Sequence, residues 1–403
     1  YSLVGGDNNT ALGYKTLYSN TSGNHNLANG YQALYANTTG HGNTASGKSA
    51  LAANTTASFN TASGYLALTA NTTGSSNSAF GSDALAANTT GATNAASGSS
   101  ALTANTTGSY NAAFASNTLV SNTTGDNNTA VGYQALYSNT TADNNTAVGY
   151  HAAKANTTGT GTVAVGYQAL ATNTIGVFNT AIGFQALYSN DNSDRNTAIG
   201  YQTLYSLATG TSSGTGYNTA VGHKTGYSIT TGIYNDALGD LTLFSTTTGS
   251  YNAAFGSEAL TTNTTGDYNT AVGFRAMKLN TTGEKNIASG TYALYSNTTG
   301  DENTAIGGYS LYSNTTGGSN VGIGYQALYT ATTEGSLTAI GYQAAKANTT
   351  GTGSVGIGYQ ALYTATTEGS LTAIGYRAAK ANTSGTGTVA VGYQALTANT
   401  TGD

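Results

Sequence analysis

Apolar residues recur along this chain with a period of 17, which neither an amphipathic helix nor a plain alternating strand would give. The segment from Asn128 reads NTAVGYQALYSNTTADN, and the same register restarts at Asn145. It runs from residue 9 to residue 196 at this spacing, shifts by five residues within Leu207–Tyr217, and resumes from 218 to 388. That makes 23 copies, with no stretch left over for a domain of another kind. Seventeen residues are too few for a helical hairpin, and Thr, Gly, Asn, Val and Ile disfavour helix. The period suits one coil of a parallel β-solenoid, expected here to hold two short strands and two turns. Coils stacked at the inter-strand spacing of about 4.8 Å would make a rod roughly 110 Å long.

What each position tolerates shows which way it faces. Counting from the first Asn, position 3 is Ala in 21 copies and Gly in two (Gly322, Gly356), so it admits nothing beyond a methyl group. Position 5 is Gly everywhere except Ala115, as a tight corner or close backbone approach demands. Position 9 is Leu in 18 copies, the expected aliphatic spine of the stack. Position 4 is apolar in 18 copies and is Asn or Ser in five, four of them early (Asn29, Ser46, Ser63, Ser97). Positions 3 and 4 point to opposite faces of a strand. One face therefore fills the coil and the other calls for a partner surface, which favours self-association; the early polar residues suggest looser or wetter packing there.

Positions 6 and 10 are rich in Tyr but also accept Lys, Ser or Asp, which marks them as exposed. Their Tyr ladders supply the candidate surface contacts: Tyr14, Tyr18, Tyr133, Tyr137, Tyr201, Tyr205, Tyr325, Tyr329, Tyr359 and Tyr363. The NTTG stretch reads as turn chemistry, with Asn and Gly in left-handed conformation and Thr hydroxyls laddered between coils. The five-residue insertion reads as a protruding bulge, and residues 320–353 and 354–387 as a two-coil duplication. The chain starts at position 10 of one coil and stops at position 16 of another, so the expectation is a single solenoid over 1–403, cut from a longer fibre.

Composition removes several function classes. There is no Cys, Pro or Trp, and the 16 acidic and 11 basic residues make up 7% of the chain without clustering, for a net charge of −5. No disulfide can form, no apolar run is long enough to span a membrane, and no basic patch offers a nucleic-acid surface.

The NTA[VI]G core with its small-residue turn resembles the N-[ST]-x-A-[IL]-G repeats of trimeric autotransporter adhesin heads. The longer NTAIGYQALYSNTTG wording is similar to repeats of phage tail-fibre proteins. The resemblance implies a left-handed parallel β-roll wound as a homotrimer, located extracellularly on a cell surface or virion. It implies a rigid spacer and multivalent adhesin, with cell-surface glycans as partners beside the chain's own copies. The adhesin-head coil is usually a few residues shorter, and no stalk, anchor or chaperone domain is visible in this sequence.

Other chemistry is outweighed by the repeat. Gly42–Ser49 fits the phosphate-loop pattern and Gly351–Gly356 the dinucleotide pattern, yet each is a repeat corner with no helix after it. His25, His41, His151 and His223 occupy unrelated positions, so no metal set or catalytic triad is expected. Acidic residues near the turn (Asp126, Asp267, Asp301, Glu302) could hold calcium if adjacent coils aligned them, but read first as solvated turn residues. N-x-[ST] sequons recur in most coils, where Asn and Thr serve turns and ladders. The expectation is a non-enzyme without cofactor. An ice-binding or glycan-binding Thr/Tyr-rich solenoid is the alternative to the structural fibre.

Overall fold

The computed structural model describes residues 6–208, 216–349, 351–365, 369–383 and 386–400. The chain divides into two compact units, the first of residues 1–196 and the second built on 197–210 and 216–403. Both are all-β, and among the described residues neither contains a helix.

In the first unit, β1 (Thr10–Leu12) to β11 (Thr180–Ile182) are three-residue strands, one in each 17-residue coil. From β1 to β10 each pairs in parallel with the strand of the next coil in unshifted register, as in Thr44↔Thr61, Ala45↔Ala62 and Ser46↔Ser63. In the second unit, β12 (Thr197–Ile199) to β23 (Val389–Val391) repeat the arrangement, with Thr270↔Ile287 and Ala271↔Ala288 as an example. The parallel β-solenoid with a repeat of about 17 residues is therefore as the sequence indicates.

Among the described residues the second expected strand is not present. Residues 47–53 of the coil that opens at Asn43 form overlapping tight turns: Ala50 N–H donates to the Gly47 carbonyl, Ala52 to Ser49 and Asn54 to Leu51. Ser49 and Leu51 take φ of 56° and 53°, and Phe59 at the end of the coil takes 62°. A left-handed conformation costs a residue with a Cβ about 1–2 kcal/mol. What offsets it is hydrogen bonding between coils. Thr44, Leu51, Ala53 and Thr55 N–H donate to the following coil, at Asn60, Ala67, Thr69 and Thr72 carbonyls. Gly47, Ser49 and Phe59 N–H donate to the preceding one, at Asn29, Tyr31 and His41 carbonyls. Ladders thus run around most of the coil, well beyond the three strand residues.

The left-handed residues fall at positions 7, 9 and 17, and not on the Asn and Gly of NTTG, neither of which has positive φ among the described residues. Space favours glycine there, since a Cβ on Gly108 would lie 2.5 Å from Asn105 Oδ1 and 2.5 Å from the Gly125 carbonyl oxygen, although Ala57, Ala142 and Ser193 take the same position in other coils. The corner glycine at position 5 is needed for both reasons, since Gly132 has φ +129° and its Cβ would lie 2.5 Å from the Gly149 carbonyl oxygen.

Inside the coil sit Ala at position 3, Ala or Thr at position 8 and Leu at position 9, as with Ala45, Ala50 and Leu51, all fully buried. Position 4 points outward. The early polar residues Asn29, Ser46, Ser63 and Ser97 therefore lie on the outer face and do not loosen the interior. The bulge anticipated within Leu207–Tyr217 falls mainly on 209–215, outside the described residues.

Candidate binding surface

A large share of the interior is amide. Asn at positions 1 and 12 is buried in coil after coil, although nothing in the composition suggests a polar core. Where Asn occupies position 12 in neighbouring coils, its side chain donates twice. Asn71 Nδ2 reaches Asn54 Oδ1 at 2.9 Å, in the preceding coil, and the Gly74 carbonyl at 2.9 Å, in its own. The position-1 ladder runs alongside: Asn77 N–H donates to Asn60 Oδ1 at 2.9 Å, and Asn77 Nδ2 to the Gly91 carbonyl at 2.9 Å. Buried amides are stabilising only when each group finds its partner, and stacking one copy on the next supplies them. The signal was in the sequence. At position 12, Asn is exchanged for Leu207, Ile229, Thr246, Ala331 and Ala365, chiefly aliphatic residues that suit the interior and not a solvated turn. It also removes the sequon Asn of NTT from the surface, its Nδ2 being spent on two interior acceptors.

With the amides inside, the outer face of the strand is left apolar. Val131 and Ile182 are 38% exposed and Leu238 50%. Next to this position-4 column runs the position-6 aromatic column. Tyr14 stacks on Tyr31 with centroids 5.3 Å apart; Tyr133 stacks on Tyr150 and Tyr150 on Tyr167. Tyr201 stacks on His223, and Tyr325 and Tyr359 belong to one continuous run with Tyr342. The position-10 column is mostly half-buried. There Tyr18 stacks on Tyr35, Tyr205 on Tyr227 and Tyr329 on Tyr312, while Tyr137 is half-buried. Tyr363 is flanked by Lys346 and Lys380, whose ammonium groups lie 5.8 and 5.6 Å from its centroid. The ten tyrosines therefore belong to two columns and do not converge on one site. Within a run the rings face each other along the stack, so they offer edges and hydroxyls outward more than open faces.

A third column at position 17 was not evident from the sequence. Tyr217, Tyr234, Tyr251 and Tyr268 stack at 4.8, 5.2 and 4.9 Å. Its residues vary widely along the chain, so only local inspection of those four coils would have exposed it.

The remaining polar groups serve the repeat. Asp126 and Asp267 accept the backbone N–H of Ser109 and Ser250, both at 2.7 Å, and Asp301 that of Glu284 at 2.8 Å. Glu302 accepts the Ser319 hydroxyl at 3.3 Å. Thr38 and Thr55 hydroxyls donate along the stack to the Thr55 and Thr72 carbonyls. His41 meets Ser58, His151 stacks on Tyr150, and His223 Nδ1 lies 2.8 Å from Asp240. Among the described residues no three His, Cys, Asp or Glu side chains come together as a metal site would need. Lys48 lies over the Tyr65 ring, and the phosphate-loop pattern around it spans β3 (Thr44–Ser46) with a turn after it. In the second unit Glu258 accepts from Arg275 and Lys278, and these hydrogen bonds hold its carboxyl below the usual range.

Comparison with known proteins gives no family model that matches the chain and no curated protein similar to it. No helix among the described residues is long and apolar enough to cross a membrane.

Proposed function

We propose that this chain is a structural segment of an extracellular fibre, a rigid spacer that also adheres through many weak, repeated contacts. The observation that carries the reading is the division of each coil: amides and Leu turned inward, and an uncharged apolar column beside an aromatic column turned outward. Such a strip recurs at every coil, so its natural complement is a surface with the same repeat, namely further copies of this chain. A left-handed homotrimer would bring three position-4 columns to a common axis and leave the Tyr edges outside. The fibre belongs, on this reading, to a phage tail or a bacterial surface filament. Exposed Tyr hydroxyls and edges are suited to hydrogen-bonding the hydroxyls of cell-surface glycans.

Light scattering of the native particle tests the assembly. A mass near three times 40.3 kDa supports the trimer, and a mass of one chain at micromolar concentration overturns it. Glycan-array binding that survives Tyr325→Ser together with Tyr359→Ser would overturn the adhesive part.

A further inference from the structure

The longest aromatic run in the second unit is Tyr325, Tyr342, Tyr359, Tyr376 and Tyr393, one phenol per coil. Successive centroids are 5.6, 5.2, 5.2 and 5.1 Å apart, and the ring planes lie within 17° of parallel. All five are open to solvent, from 37% for Tyr376 to 74% for Tyr393. A second observation concerns what competes with them. The chain has no Cys and no Trp, and its single Met, Met277, is completely buried. Phenols are therefore the most readily oxidised side chains that the surface offers to a one-electron oxidant.

We propose that this column is a site of oxidative modification, in which tyrosines of adjacent coils are joined as dityrosine by a peroxidase-type oxidant with hydrogen peroxide. Each of two neighbouring phenols gives one electron to the oxidant and its hydroxyl proton to water. The two phenoxyl radicals then join through ring carbons ortho to oxygen, forming one carbon–carbon bond. Each coupled ring loses the hydrogen on that carbon to solvent and regains one on oxygen, which restores both phenols. Two electrons and two protons leave per cross-link, and one hydrogen peroxide takes them up as two waters. Holding both partners on adjacent coils makes coupling effectively unimolecular, so it outruns radical encounters between molecules. The side chains lie on the surface, where rotation can bring the ring edges to bonding distance. The product is a covalent staple between residues 17 apart, set by the native register. This inference does not rest on the fibre reading.

The test treats the native chain with a haem peroxidase and limiting hydrogen peroxide, then maps cross-linked peptides by mass spectrometry. The expected result is dityrosine, two hydrogens lighter than its parent peptides, joining Tyr325–Tyr342, Tyr342–Tyr359, Tyr359–Tyr376 and Tyr376–Tyr393. The double variant Tyr342→Phe with Tyr376→Phe leaves no two phenols of this run on adjacent coils and should lose these four products. Its fold is safe, because Phe184 and Phe274 occupy position 6 naturally. Absence of dityrosine, cross-links with no preference for register neighbours, or undiminished yield in the double variant would each overturn the proposal.

Discussion

Ala115 occupies the corner position that every other coil gives to Gly, and it does so at φ 122°. Backbone in this region costs a residue with a Cβ about 1–3 kcal/mol, whereas glycine enters it freely. Glycine also gains more freedom on unfolding, which returns part of the difference. Ala115→Gly is thus expected to stabilise the first unit by about 1 kcal/mol, read as a higher urea midpoint with unchanged slope. A midpoint that stays or falls would mean the corner carries no strain. His151 is the other residue at odds with its surroundings: its Nε2 is buried without a partner, and burial, aided by Lys154, holds its pKa below the ordinary value. The unfolded chain therefore protonates first, and stability declines as pH falls through the ordinary histidine range. His151→Gln removes that titration and places Gln beside Gln134 and Gln168, at the position where Gln185 already donates to Gln168 at 2.9 Å. The variant should show a flatter dependence of melting temperature on pH between about 7 and 5. Residue by residue, positions 3, 5 and 9 were legible because their replacements are all small or all apolar. The left-handed conformation at positions 7 and 9 was not, because Gln and Leu are ordinary residues there and only hydrogen bonds between coils impose it.

A coil behaves as a unit, and one coil shows two linked exceptions. In the coil that opens at Asn320, position 12 is Ala331 and position 15 is Glu334, in place of Asn and Gly. Removing the amide breaks the ladder on both sides: Asn314 Oδ1 and Asn348 Nδ2 are buried without partners. The same removal relieves the crowding at position 15, where a Cβ on Gly317 would lie 2.5 Å from Asn314 Oδ1 and where nothing larger than Ala57, Ala142 or Ser193 accompanies a position-12 Asn. Glu334 uses that space, turning its carboxylate back to accept the N–H groups of Thr332 at 2.7 Å and Thr333 at 3.0 Å. Ala331→Asn alone therefore forces an amide into the space that the Glu334 side chain fills and is expected to destabilise. Ala331→Asn with Glu334→Gly restores the ladder, giving Asn314 a donor and Asn348 an acceptor, each worth on the order of 1 kcal/mol. A double-mutant cycle on thermal stability should show a favourable coupling of that order; additive single effects would mean the two positions do not communicate. The repeat length and the parallel stack were legible from periodicity alone. The amide ladders were not, because Asn beside Thr and Gly reads as a turn until its aliphatic replacements are weighed.

Repetition leaves the molecule as a whole weakly committed to its own register. Coils 60–76, 77–93 and 94–110 present Ala at position 3, Gly at position 5, Ala and Leu at positions 8 and 9 and Asn at positions 1 and 12 alike. Looping out one coil and pairing 60–76 with 94–110 would rebuild every one of these ladders and forfeit a single coil interface. Closing the 17-residue loop adds only a few kcal/mol, because loop entropy grows with the logarithm of length. In a stack whose stability is a sum over neighbours, such a fault is local and does not abolish the rest. Refolding from denaturant should therefore trap a population of slipped molecules, and the lack of Cys makes it directly readable. Thr61 and Ser78 are register partners, as are Ser78 and Ala95, so Thr61 and Ala95 lie two coils apart in the native stack. A disulfide needs Cα atoms within about 7 Å, which the pair Thr61→Cys with Ser78→Cys meets in the native register and Thr61→Cys with Ala95→Cys meets only after a slip. After refolding at high dilution under mild oxidation, the second variant should yield an intramolecular disulfide that the same protein, oxidised without prior unfolding, does not form. If only the first pair closes after refolding, the differences among coils suffice to fix register, and the source of that specificity lies in variable positions such as 7, 10 and 17.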